Sequence, residues 1–154
     1  MKRIVFFFIA VFTSISIRNA MVPDELHVLF LSDGSGESNS GHNGKINHHK
    51  LKPSFLRSGI KMTYSSNLED LNPETLAKYS SIIMYLSAAN DKPERVRALI
   101  EYVENGGGLV ALHNTCGAFD GTDEFVKLIG GQFDRHESGW FTATHVKGQE
   151  NHPA

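Results

Sequence analysis

Cysteine is nearly absent: Cys116 is the single one in 154 residues. An internal disulfide is excluded, and so is a zinc site built on several thiolates. An excess of charge of one sign is also missing. Fifteen Lys and Arg stand against 17 Asp and Glu, for a formal net charge of -2. The basic residues form no stripe of the kind that tracks a phosphate backbone, which argues against nucleic acid as a partner. No apolar run reaches the roughly 20 residues of a membrane-spanning helix. Tryptophan occurs once, and no internal repeat or long linker breaks the chain. What is plentiful is histidine, with eight residues, on a background that is 40% hydrophobic. That is enough apolar material for one packed domain at this length.

The N-terminus stands apart. Lys2 and Arg3 are followed by an apolar stretch from Ile4 to Ile17 and then by small and polar residues. This is the plan of a secretory signal peptide, and it is short for a membrane span. Cleavage is expected near Ser14-Ile15-Ser16 or after Ala20, although Arg18 suits the second site poorly. No cysteine stands where a lipoprotein would need one. Residues 1–20 are therefore set aside as an export signal, and 21–154 are expected to form one domain in the periplasm or outside the cell.

Beyond it, apolar runs and helical periods alternate. Leu26–Gly34 and Ser80–Ala88 read as strands buried on both faces, and "GLVALH" (Gly108 to His113) as a third such strand. Ile60–Ser66 is a further strand. Ile46, Leu51, Phe55 and Leu56 have near-helical spacing, but Pro53 predicts a late start or a kink there. Pro73 opens a short helix. Residues 91–104 give the clearest helix, with Asp91 as a candidate cap, Pro93 at its start and Val96, Leu99, Ile100 and Val103 on one face. Residues 121–131 hold another, with Thr122 or Asp123 near its cap and glycine at its stop. "WFTATHVK" (Trp140 to Lys147) alternates like a half-exposed strand. The order implies an α/β fold: a parallel sheet between helices, a three-layer sandwich of the flavodoxin-like, doubly wound kind.

In such folds ligands sit beyond the carboxyl ends of the strands. The stretches of interest are therefore Asp33 to Asn43, Ser87 to Asn90, and His113 to Cys116. His113 closes a strand and faces the expected crevice. His42 lies across a polar loop from the first strand, and His136 follows the Gly130-Gly131 stop. Three imidazoles from three loops are the set that would hold a divalent ion such as zinc and leave a position open for water or substrate. Asp33, Glu37, Asn43 and Asn114 offer polar groups to a hydroxylated ligand. "FDRHESGW" adds Trp140 beside carboxylates, an arrangement suited to a sugar, whose C–H face packs on a ring while its hydroxyls meet the carboxylates. "GSGESN" (Gly34 to Asn39) lacks the third glycine of a dinucleotide loop. His27, His48 and His49 read as surface or structural residues, and His145 as solvent-facing.

The set "GHN" at Gly41 to Asn43, "GGGLVALHNTCGAF" from Gly106, "LIGGQFDRH" from Leu128 and "NHPA" from Asn151 resembles the ThuA-like (trehalose-utilisation) family, related to the class I glutamine amidotransferase-like fold. The resemblance runs from about Leu26 onward, and it is carried mostly by "GGGLVALH" followed by "IGGQFDRH". Domains of that family continue past the "HP" motif, so the resemblance implies a domain incomplete at its C-terminus, with an exposed sheet edge where elements are missing. It also implies a small-molecule carbohydrate as partner. In the amidotransferase relatives the nucleophile sits directly at the strand end, between small residues. By that register His113, flanked by Ala111 and Thr115, takes the elbow position, and Cys116 falls one turn later. Three functions stay open: metal-assisted chemistry on a sugar derivative with His113 and His136 as catalytic groups, a sugar-binding domain without chemistry, and a cysteine-dependent hydrolase on Cys116.

Overall fold

The structure, a computed structural model, describes residues 25–34, 42–86, 92–119, 121–135 and 142. Four strands form its sheet: β1 (His27–Ser32), β2 (Lys61–Ser65), β3 (Ser81–Tyr85) and β4 (Gly108–Ala111). They are all parallel and lie in the order β2-β1-β3-β4. Helices α1 (Gly44–Arg57), α2 (Pro73–Leu76), α3 (Pro93–Glu104) and α4 (Asp123–Ile129) connect or follow them. This is the α/β sandwich expected from the alternating pattern.

The central strands read as unbroken apolar runs because both of their faces are covered. Alternate residues of β1 and β3 enter two separate cores. Leu29, Leu31, Ile82 and Met84 pack with Leu76 of α2, Val96 and Leu99 of α3, and Phe125 of α4. Val28, Phe30, Ile83 and Tyr85 pack with Met62 of β2 and with Leu51 and Phe55 of α1. So α1 covers one face of the sheet and α2, α3 and α4 the other.

Two sequence expectations need correction. Helix α1 neither starts late nor breaks at Pro53; it runs from Gly44 through the proline to Arg57. Pro53 and His49 are exposed, so water can meet the His49 carbonyl that the missing proline N–H would have bonded. The buried stripe of α1 is Gly44, His48, Leu51 and Phe55, whereas Ile46 and Leu56 are 50% and 54% exposed. A glycine and a histidine share the inward positions with Leu51 and Phe55, so apolar spacing marks only half of that face. Finally, β4 is not buried on both sides. Among the described residues it pairs with β3 alone, and Val110 is 47% exposed. A short apolar run fixes the strand but not how many of its faces are covered. Asp91, the signal segment and all of "WFTATHVK" except Thr142 lie outside the described residues.

The burial of His48 has a measurable consequence. The residue is 4% exposed, packed near Phe30 and Tyr64, and neither ring nitrogen meets a hydrogen-bond partner among the described residues. Burial, then Lys52 and His49, hold its pKa below the ordinary histidine value. Burial, then Lys61, do the same to His27 despite an opposing pull from Glu25. Both groups are neutral in the fold at a pH where the unfolded chain already takes up protons. Their contribution is present in full above the unfolded value of about 6.5 and is lost as pH falls below it. Urea midpoints measured at about pH 7.5 and about pH 5.5 should fall on acidification, and His48→Leu should reduce that fall. An unchanged pH slope in His48→Leu would remove His48 from this account.

Candidate functional site

Two turns meet beyond the carboxyl ends of β1 and β4. The first carries His42. Asn43 caps α1, its side-chain carbonyl accepting the N–H of Ile46 at 2.9 Å. The next residue, Gly44, is seated on Ser32 at the end of β1, where a Cβ would lie 2.5 Å from Ser32 Cβ. Only a residue without a side chain lets the helix start this close to the strand end. The close seat fixes where His42 stands.

The second turn follows β4. It is a 3-10 helix, His113–Gly117, pinned at its centre by Thr115, which is fully buried. The Thr115 hydroxyl lies 2.8 Å from the carbonyl oxygens of Met84 and Leu112, and it accepts the N–H of Leu86 at 3.1 Å. The turn is thereby tied to the end of β3. His113 enters it with a φ of 53°, a left-handed conformation that a residue with a Cβ adopts at a cost. A strained residue between strand and helix is the geometry of a nucleophile elbow. Here that position holds an imidazole.

The two turns bring His42 and His113 together, with ring centroids 4.8 Å apart. The Asn114 side-chain amide reaches across to His42, with its nitrogen 2.8 Å from Nδ1. Tyr85, buried at the end of β3, supports the His113 ring edge-on at 5.8 Å and stacks on Phe30 from the core. Asp33 follows β1, half-buried and engaged in an interaction of its own. His113 is exposed and His42 half-buried, so both rings are within reach of a ligand.

The expected residues therefore divide. His42, His113 and Asn114 converge. Asn43 is adjacent, but its carbonyl oxygen serves the helix cap. His136 and Trp140 lie outside the described residues, as do Glu37 and Ser87 to Asn90. Among the described residues, no group of three His, Cys, Asp or Glu stands at metal-binding spacing. Cys116 is half-buried, and its thiol donates to the His113 carbonyl at 3.3 Å, within its own turn. Ser32, Gly44 and Tyr85 carry no signal in the sequence, and Thr115 stands out there only as a small neighbour of His113. Each acts by close packing or by bonds to distant backbone, and neither leaves a local pattern.

Other concave features lie away from this pair. A groove of about 490 Å³ between α3 and α4 is lined by Arg97, Glu101, Glu104 and Glu124 among others. A smaller one of about 310 Å³ lies beside β4, against Val103, Leu128 and Ile129. Among the described residues, no helix is long and apolar enough to cross a membrane.

No curated protein matches the chain. A solved structure of a ThuA-like protein from Bacteroides uniformis is similar, with a TM-score of 0.57 and 25% sequence identity, over 69% of this chain and 44% of that one. The chain thus spans less than half the length of that relative. The likeness supports the flavodoxin-like, amidotransferase-like arrangement of the sheet and helices. The model of the ThuA family, described as trehalose utilisation, matches residues 23–154, and on that match the chain belongs to the ThuA family.

Proposed function

We propose that the crevice over β1, β3 and β4 takes a sugar or sugar derivative, and that His42 and His113 move protons on it. Membership of the ThuA family supports a role related to trehalose utilisation. The observation that carries the finer reading is the convergence of His42, His113 and Asn114 from two turns at the strand ends. Imidazole is the side chain that gives and takes protons near neutral pH. An adjacent pair of rings can act as donor and acceptor towards one hydroxyl or carbonyl group. Asn114, beside the pair, and Asp33, after β1, are further polar groups proposed for hydroxyls, and Trp140 and His136, outside the described residues, belong to the same proposal.

A divalent ion such as zinc is the alternative occupant, held by His42, His113 and His136, and it would need His42 and His113 as lone-pair ligands rather than as proton carriers. It would polarise a bound oxygen or water. The described residues supply two of the three imidazoles, one short of what a catalytic zinc uses. No step is therefore routed through an ion. Export of the mature domain belongs to the same reading. It rests on Lys2, Arg3 and the apolar stretch after them, and suits a protein that meets sugars outside the cytoplasm.

The test is calorimetric titration with trehalose and related disaccharides, with the products followed by chromatography. His113→Ala and His42→Ala should each slow turnover at least about a hundredfold, the low end of what a positioned acid or base contributes, and weaken binding. Binding and turnover unchanged in both variants would refute the site. Binding without any turnover would leave a sugar-binding domain and refute the proton-transfer role.

A further inference from the structure

We propose that Asn114 is a positioning residue that fixes which nitrogen of His42 carries the proton, so that the ring meets its ligand as an N–H donor. The inference rests on the reading of His42 as a site residue. It moves Asn114 from ligand contact to control of its neighbour.

A neutral imidazole has one donor and one acceptor nitrogen, and the hydrogen bond made at one decides the role of the other. The Asn114 amide nitrogen stands 2.8 Å from His42 Nδ1. An N–H there must find a lone pair, so Nδ1 is the acceptor and the proton sits on Nε2. The opposite amide orientation would place the carbonyl oxygen against an Nδ1–H and leave Nε2 as a lone pair, the form that serves a base or a metal ligand. One torsion of Asn114 thus separates a donor histidine from a ligand histidine.

The backbone holds Asn114 where it can exert that control. It sits between His113, in its left-handed conformation, and the buried Thr115, whose hydroxyl is tied to Met84 and Leu86. On the other side, the Asn43 cap and the seat of Gly44 on Ser32 fix the start of α1. The Asn114–His42 contact joins residues 72 apart in sequence across two separately anchored turns. It is therefore a property of the fold and not of a local loop. With His42 set as donor, the acceptor role in proton transfer falls to His113.

The experiment reads the tautomer directly and needs no sugar. The whole chain is labelled with 15N-histidine, and long-range proton–nitrogen correlations are recorded at about pH 8, where ordinary imidazoles are neutral. The His42 signals are assigned by their loss in His42→Gln. The wild type should show His42 protonated on Nε2. Asn114→Asp, whose carboxylate can only accept, should move the proton to Nδ1, and Asn114→Ala should give a mixture of both forms. A His42 pattern identical in all three proteins, or an Nδ1–H form in the wild type, would overturn the proposal. Asn114→Ala keeps the test decisive if the aspartate variant does not fold. A tautomer that responds as expected while no protein binds sugar would uphold this inference and sink the sugar reading, so the two failures are distinguishable.

Discussion

Gly44→Ala should destabilise the protein by about 2–3 kcal/mol and weaken any ligand that depends on His42. Two effects oppose each other at this position. Alanine is the better helix former, by up to about 1 kcal/mol in a helix interior and less at a first turn. Against that, the new methyl would lie 2.5 Å from Ser32 Cβ, about 1–1.5 Å inside the normal contact distance of about 3.5–4.0 Å. Tyr85 closes the space on another side, 3.6 Å from the same point. Ser32 is almost fully buried, at 1% exposure, so neither partner can step aside into solvent. The helix start must lift from the sheet, and His42 would lift with it. Removing the obstacle is the control. Ser32→Gly in the Gly44→Ala background should recover part of the loss, although Ser32 also accepts the N–H of Gly34 at 3.3 Å. Urea denaturation gives the stabilities and the imidazole spectrum reports His42. A Gly44→Ala protein as stable as the wild type would show that α1 does not need this close seat.

How far this arrangement can be read from sequence depends on the range of the forces involved. The strands and helices follow from local pattern. Leu26–Ser32 and Ser81–Leu86 are apolar runs of strand length, Pro93 and Pro73 mark helix starts, and Gly130 stops α4 with a φ of 84°. Their alternation implies the parallel sheet, and the parallel sheet tells which end to search. His113 was legible for that reason: it follows a strand at the correct end. His42 was legible from the same topology, one loop after β1. Their contact was not legible, because it depends on Gly44 meeting Ser32 and on Thr115 meeting the end of β3. Half of the inward face of α1 escapes apolar spacing for a related reason. His48 is polar by composition, yet it lies between Phe30 and Tyr64 in the core, where only the packed sheet gives it a place. The exposure of β4 could not be read from Leu109 and Val110 at all, since what covers an apolar strand is decided elsewhere in the chain.

Thr115→Val is the most selective way to break the second turn, because it keeps the shape of the side chain and removes only its polarity. The lost hydroxyl donates to a carbonyl at 2.8 Å, with those of Met84 and Leu112 both at that distance, and accepts the N–H of Leu86 at 3.1 Å. In valine the Leu86 N–H loses its buried acceptor and the two carbonyls lose their shared donor. An unsatisfied buried group costs about 1–3 kcal/mol, so a total loss of about 2–4 kcal/mol is expected. Thr115→Ser keeps both bonds and gives up one methyl group, for a loss of about 1 kcal/mol. The difference between valine and serine therefore measures the hydroxyl and not the volume. Function should follow the same order. A turn no longer tied to β3 frees His113 and Asn114 from His42, so the valine variant should show mixed His42 protonation and the serine variant the wild-type form. Equal urea midpoints for valine and serine would mean that the hydroxyl does not hold the turn. The fixed meeting of the two histidines would then need another cause, and the left-handed His113 would be the place to look for it.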